Sequence, residues 1–173
     1  GTLNLALGSL IGVLLGVVLA FIRESFDTSI GTIEDVEALL HVPVLGVMPR
    51  EDRKKVEQTV KETFPELLDH ESQELLSRLP PLFDFKGSAA EGYRLLKVNL
   101  QFACQDRPVK SLAFTSAGMG EGKTTTVINL AITIAQDGRR VLVLDADLRK
   151  PNVNSRLGLR QAPGLSEVLV GNV

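Results

Sequence analysis

Thr115-Ser116-Ala117-Gly118-Met119-Gly120-Glu121-Gly122-Lys123-Thr124-Thr125 sets the architecture of this chain. The run fits the phosphate-binding loop pattern A/G-x-x-x-x-G-K-S/T, with Ala117 where the stricter form has glycine. Such a loop holds a polyanion, so its backbone N–H groups must turn inward without side chains in the way. Gly118, Gly120 and Gly122 meet that need, with Met119 and Glu121 between them. The helix that follows, predicted from near Gly122 to about Gln136, aims its positive dipole end and unpaired amides at the same place. Lys123 is expected to reach the β- and γ-phosphate oxygens of a nucleotide and the Thr124 hydroxyl to bind Mg²⁺. Thr125 completes a nucleotide-binding stretch that begins at Ala117.

The flanks agree with this reading. Val109 to Thr115 is short, apolar and β-leaning, and Thr125-Thr126-Val127-Ile128-Asn129-Leu130-Ala131 continues as a largely buried helix. Gln136-Asp137-Gly138 closes that helix, and Arg140 to Leu144 reads as a second apolar strand running into Asp145-Ala146-Asp147-Leu148-Arg149-Lys150-Pro151. In a parallel sheet the carboxyl ends of adjacent strands share an edge with the phosphate loop, which predicts Asp145 and Asp147 facing Mg²⁺–ATP. If the strand persists, alternate spacing points both carboxylates the same way. Magnesium ligation, the holding of a water and uptake of a hydroxyl proton stay open for either, and an acidic turn is the plainer alternative. Gly164 to Leu169 reads as a capped helix starting with Ser166.

Upstream of the loop, Ser88-Ala89-Ala90-Glu91 reads as a capping box that opens a helix with Tyr93, Leu96, Leu100 and Ala103 at helical spacing. Glu91, Arg94 and Lys97 fall three apart along one side, either a charged ladder that pairs with a neighbour or a solvated face. Asp106-Arg107-Pro108 then turns the chain toward the strand. Arg50 to Glu62 mixes charges without an apolar stripe and reads as a solvated helix or linker; no chemistry is assigned between Arg50 and Lys86. Thr32-Ile33-Glu34-Asp35 caps a helix predicted to about Leu40, His41-Val42-Pro43 ends it, and Val44 to Met48 reads as a short buried strand.

Thr2 to Ile22 contains no charged side chain and is dense in Leu, Val, Ile, Ala and Gly. At about 1.5 Å per residue it is long enough for a hydrocarbon core of about 30 Å. Arg23-Glu24-Ser25-Phe26 is no cleavage site, so a membrane span is preferred to a signal peptide. Gly8, Gly12 and Gly16 recur every four residues, consistent with close helix packing in the bilayer or with ordinary glycine enrichment there. ATP is cytosolic, so the residues after Ile22 are expected on the cytoplasmic side.

The chain has 173 residues, 44% of them hydrophobic, which supports one ordinary domain plus an appendage. A net charge of -2 leaves no electrostatic footprint for nucleic acid, and a single cysteine, Cys104, allows no internal disulfide framework. Without an initiator Met, the chain reads as an internal piece of a larger protein. The fold class expected is α/β: a P-loop NTPase parallel sheet with flanking helices, truncated, preceded by one transmembrane helix. The expected divisions are a transmembrane helix over 1–22, a cytoplasmic juxtamembrane segment and linker over 23–86, and the N-terminal part of the P-loop domain over 87–173.

In this order, the span, Thr32-Ile33-Glu34-Asp35-Val36-Glu37, Pro43-Val44-Leu45-Gly46-Val47, Glu91-Gly92-Tyr93-Arg94-Leu95-Leu96-Lys97, the phosphate loop and Val143-Leu144-Asp145-Ala146-Asp147-Leu148-Arg149 resemble the bacterial tyrosine autokinases. These belong with the polysaccharide co-polymerases, or chain-length determinants, of capsule and exopolysaccharide export. The resemblance covers nearly the whole chain. It implies that Ala117 to Thr124 is the Walker A loop, that Asp145 and Asp147 belong to the Walker A′ motif, and that Lys123 and the two aspartates serve catalysis. It implies ATP and Mg²⁺ as cofactors, with Thr124, Asp145 and Asp147 as metal ligands. It also implies that Glu91, Arg94 and Lys97 occupy an ExxRxxR oligomerisation ladder, in which Lys97 departs from the last arginine and loses bidentate pairing. Met119 stands where many members have proline. The expected partners are further copies in a ring, through the 88–105 helix and the membrane helix, together with polysaccharide polymerase and export machinery and the tyrosine tail of a neighbouring subunit. Tyr93, the one tyrosine here, is not such a tail residue. The expected location is the bacterial inner membrane, with residues 23–173 cytoplasmic.

Two rivals differ in class. One is a chain-length determinant that binds ATP to assemble but transfers no phosphate. The other is a partitioning or septum-positioning ATPase, which carries a signature lysine five residues before the loop lysine, where this chain has Gly118.

Overall fold

The computed structural model describes residues 1–26, 31–66, 69–105 and 109–171. It divides into two compact units, Gly1–Val44 and Leu45–Val173.

In the first unit, helix α1 (Thr2–Ser25) is 24 residues long and none of its residues is buried. By length and composition it can cross a membrane. A Cβ added at Gly8, Gly12 or Gly16 would meet nothing within 4 Å, so that face of α1 is open. Helix α2 (Ile33–Leu40) starts from a reciprocal cap: the Asp35 amide donates to Thr32 Oγ1 at 3.2 Å and the Thr32 amide to Asp35 Oδ2 at 3.1 Å. The Gly31 amide also donates to Asp35 Oδ2, at 3.3 Å. His41, at φ 55°, ends α2 in the left-handed region, its amide bonding the Glu37 carbonyl.

The second unit is built on seven helices among the described residues: α3 (Arg53–Thr63), α4 (His70–Ser77), α5 (Pro80–Phe83), α6 (Ser88–Ala103), α7 (Lys123–Ala135), α8 (Val153–Arg156) and α9 (Leu165–Val170). Its core lies where α6 packs on α7 and the short α5 wedges among α3, α4, α6 and α7. Val60, Leu79, Phe83, Ala89, Ala90, Tyr93, Ile128 and Leu130 are its buried apolar side chains. The mixed-charge stretch after Arg50 therefore contributes through Val60, which is 0% exposed. Asp52 and Asp69 cap α3 and α4, accepting from the Lys54 amide at 3.0 Å and the Ser72 amide at 2.8 Å. Small residues let α6 sit close: a Cβ on Gly92 would stand 3.0 Å from Met48 Sδ. The capping box expected at Ser88–Glu91 does not form. Gly87 is the N-cap, and the Ala89 amide reaches Glu51 Oε1 at 3.4 Å instead. Likewise α9 begins at Leu165, with the Gly164 amide donating to Glu167 Oε2 at 2.8 Å.

The parallel sheet of the expected α/β P-loop fold is not present: no β-strand occurs among the described residues, and every regular element is a helix. Val44–Met48, Val109–Thr115 and Arg140–Leu144 form no strand. The reason is visible in their side chains. A parallel strand is stable when neighbours take up its backbone groups and helices cover both faces. Here Leu142 is 80% and Leu144 59% exposed, and Val109, Leu112 and Val141 are exposed as well. Local β preference is present without the non-local cover that would turn it into a ladder. The Asp106–Pro108 turn lies outside the described residues.

Candidate nucleotide site

The phosphate-loop sequence forms a turn from Ala117 to Gly122 that runs directly into α7. Gly120 and Gly122 have φ of +82° and +88°, which side chains rarely tolerate, and Gly122 is the N-cap of α7 without a side chain to occupy its amides. Ser116 Oγ donates to the Gly118 carbonyl at 2.9 Å and braces the entry to the turn. Met119 projects from it, 86% exposed, and Glu121 folds back toward Gly118. The helix itself is held by burial of Ile128, Asn129, Leu130 and Thr133; Asn129 Oδ1 is buried without a hydrogen-bond partner. Thr133 Oγ1 donates to the Asn129 carbonyl at 2.8 Å.

Lys123 Nζ lies 3.6 Å from Asp147 Oδ2, both half-exposed. The loop lysine and the second aspartate thus open onto the same space. Asp147 also accepts from the Lys150 amide at 3.0 Å and the Arg149 amide at 3.2 Å. Those two amides, with Lys123 as a smaller contributor, hold its carboxyl below the ordinary aspartate value.

Asp145 is placed differently. Its Oδ1 accepts from the Asp147 amide at 3.1 Å, and its Oδ2 from the Asn152 and Val153 amides at 2.7 and 3.0 Å. Partial burial pushes its pKa up, but the Val153, Asn152 and Asp147 amides outweigh that, and the net shift is downward. The alternate spacing that would aim both carboxylates one way requires a continuing strand. The chain instead turns at Leu148–Lys150, and the Asp145 carboxylate binds its own loop.

Two further residues complete the surroundings. Arg156, at the end of α8, donates from Nη1 to Thr125 Oγ1 at 2.8 Å. Asn129, 0% exposed, donates from Nδ2 to the Thr125 carbonyl at 2.9 Å and the Arg78 carbonyl at 3.0 Å. A buried asparagine in an apolar helical run was the available signal for the second; nothing marked the first. Thr124 is half-buried on the first turn of α7. Among the described residues no cluster of three or more His, Cys, Asp or Glu stands ready as a metal site.

The charged ladder of α6 is paired within the chain. Arg94 Nε donates to Glu91 Oε2 at 2.8 Å, and its Nη2 donates to the Phe85 carbonyl. Lys97 reaches Asp137, just beyond α7, at 2.8 Å. Tyr93, on the same helix, is 6% exposed; burial raises its phenol pKa against smaller opposing contributions from Asn129 and Thr126.

Residues 112–165 match the family described as the CobQ/CobB/MinD/ParA nucleotide binding domain. Over 168 residues, 96% of this chain, it is 34% identical to a putative tyrosine-protein kinase EpsB of Ralstonia nicotianae, covering 21% of that protein. It is 31% identical over 167 residues to the tyrosine-protein kinase wzc of Salmonella typhi, covering 22% of it. Over 85 residues it is 48% identical to the tyrosine-protein kinase YwqD of Bacillus subtilis, covering 49% of this chain and 36% of the relative. A crystal structure of the chimerical protein CapA2B2 superposes with a TM-score of 0.64 at 30% identity, over 82% of this chain and 51% of the other. The chain therefore spans between about a fifth and about a third of the kinases it matches. It is a homologue of bacterial tyrosine-protein kinases, and the Lys123–Asp147 pair lies within the residues that match the nucleotide-binding domain family.

Proposed function

We propose that this chain binds ATP for a membrane-anchored bacterial protein-tyrosine autokinase that regulates the chain length and export of capsular or exopolysaccharide. The observation that carries the reading is the 3.6 Å approach of Lys123 Nζ to Asp147 Oδ2 beside a turn with two left-handed glycines. A cation and an acid held that close, next to a helix start without a side-chain cap, suit a triphosphate and its magnesium. The kinase names of the relatives support the same reading.

In this mechanism Lys123 exchanges Asp147 for the β- and γ-phosphate oxygens and neutralises charge that builds between them. The α7 amides orient the phosphates. The Thr124 hydroxyl and the Asp147 carboxylate would hold Mg²⁺, which when bound would supply further neutralisation. The bond from the γ-phosphorus to its bridging oxygen breaks, releasing ADP, as a bond to a tyrosine oxygen forms, and the phenolic proton passes to water. Asp145, with its oxygens committed to three amides, fixes the turn that presents Asp147. The acceptor tyrosine comes from outside these 173 residues, because Tyr93 is buried against Asn129. Helix α1 anchors the site to the inner membrane with the loop on the cytoplasmic side, and copies assemble through α6 and α1 into a ring that works with the polymer export machinery.

The test is phosphotyrosine formation by the complete kinase from γ-labelled ATP, with Lys123→Met as the comparison. Label on tyrosine in the unaltered protein, lost in the variant, is the expected result. Equal labelling in both removes Lys123 from the chemistry, and nucleotide binding without any labelling leaves an assembly device in place of an enzyme.

A further inference from the structure

Asp145 and Arg156 hold opposite ends of one small element. Asp145 Oδ2 takes the Asn152 and Val153 amides at the start of α8, and Arg156, its last residue, donates to Thr125 Oγ1 at 2.8 Å. Thr125 lies on the first turn of α7, next to Thr124 and two residues from Lys123. A continuous strap therefore runs from the acidic turn through α8 to the helix that follows the phosphate loop.

Arg156 is half-buried. Its Nε is buried without a hydrogen-bond acceptor. Burial first, and the positive charge of Arg78 second, pull its pKa below the ordinary arginine value. A long cationic side chain normally carries its head to water. This one is directed inward, onto a threonine hydroxyl of the candidate nucleotide site.

We propose that Arg156 is a positioning residue for nucleotide binding: its bond to Thr125 ties the first turn of α7 to the α8 turn capped by Asp145, and so sets the spacing between Lys123 and Asp147. The inference rests on the nucleotide-site reading above and extends it to a residue that touches no phosphate. A phosphate loop without the strap keeps its glycines, its amides and Lys123. What it loses is the fixed distance to the acid that holds magnesium.

The experiment titrates the full chain, in detergent, with Mg²⁺–ATP and with ADP in the presence of a chelator. Arg156→Ala is expected to weaken Mg²⁺–ATP binding about tenfold, the scale of one hydrogen bond from a charged donor, and to leave chelated ADP binding unchanged. Thr125→Val, nearly isosteric, breaks the same bond from the other side, and Arg156→Gln, which keeps the stem and removes the charge, serves if Arg156→Ala fails to fold. The double variant is expected to be no worse than either single change, and Arg156→Lys to recover part of the loss. Wild-type Mg²⁺–ATP affinity in Arg156→Ala overturns the positioning role, as do fully multiplicative losses in the double variant or equal losses for both nucleotides. Absence of any nucleotide binding by the unaltered chain overturns the nucleotide-site reading and this role together.

Discussion

The Asp147 amide donates to Asp145 Oδ1 at 3.1 Å, so the first aspartate of the pair positions the backbone of the second. Asp145 also gathers Asn152 and Val153, and removing its charge weakens three hydrogen bonds at once. Asp145→Asn keeps the shape but has one acceptor oxygen and a misplaced donor. It is expected to cost about 1–2 kcal/mol of stability, since the group is well solvated and the bonds are charge-assisted. Thermal unfolding measures the loss, and faster amide exchange at residues 152 and 153 locates it.

Asp147→Asn is expected to behave in the opposite way. Its carboxylate is half-exposed and its two amide partners are exposed, so unfolding should move less than in Asp145→Asn. Mg²⁺–ATP binding should fall, because the acid facing Lys123 is gone. Isothermal titration of the two asparagine variants side by side separates the roles. A stability loss in Asp147→Asn as large as that in Asp145→Asn would erase the distinction between them.

The pH dependence follows from the same amides. Asp145 and Asp147 both have folded pKa values below the ordinary aspartate value, so the unfolded chain takes up protons first as pH falls. Their stabilisation is complete above the ordinary aspartate range and is lost progressively as pH drops through it toward the folded values. Melting temperature measured from about pH 7 to about pH 3 should therefore decline at the acid end, with a shallower decline in Asp145→Asn. Some slope should persist, since Asp35 is also shifted down, by the Thr32 hydroxyl first and then by the Thr32 and Gly31 amides.

What the sequence revealed and what it hid divide along the range of the interactions. The α7 helix, the left-handed glycines before it and the Thr32–Asp35 cap are local, and residue spacing carries them. The sheet is non-local. Val109–Thr115 and Arg140–Leu144 have strand composition, yet composition cannot supply the neighbours and covering helices a parallel ladder needs. Asp145 and Asp147 are both expected beside the phosphate loop from adjacent strand ends; Lys123 and Asp147 approach to 3.6 Å although those strands are not formed. The turn of Asp145 back onto Asn152, and the reach of Arg156 across to Thr125, depend on how residues 148–156 pack, which no periodicity encodes. At Ser88 the capping pattern misled by one position, since Gly87 takes the cap and Glu91 is drawn to Arg94.

Asn129 is expected to be the most sensitive polar residue in the core. Its side chain holds the Arg78 and Thr125 carbonyls together and is wholly buried. Asn129→Ala leaves two carbonyls without that donor and opens a void between α5, α6 and α7. The combined cost is on the order of 2–4 kcal/mol. Denaturant unfolding with an unchanged slope should report it as a lowered midpoint. Asn129→Asp is expected to be worse still, since it adds a buried charge and replaces the donor with an acceptor.

The Lys97–Asp137 pair allows a sharper test than deletion. It joins α6 to the end of α7 at 2.8 Å, with Lys97 only 13% exposed and Asp137 43%. Lys97→Ala should cost up to about 1 kcal/mol, because one partner is still largely solvated. Lys97→Asp should cost more, placing two acids together beside a helix end whose dipole already disfavours negative charge. Adding Asp137→Lys restores opposite signs at the same distance and should recover much of the Lys97→Asp loss in thermal unfolding. If the swapped pair is no more stable than Lys97→Asp alone, the lysine contributes through its buried methylene stem, and the charge pairing that ties α6 to α7 is not what holds them.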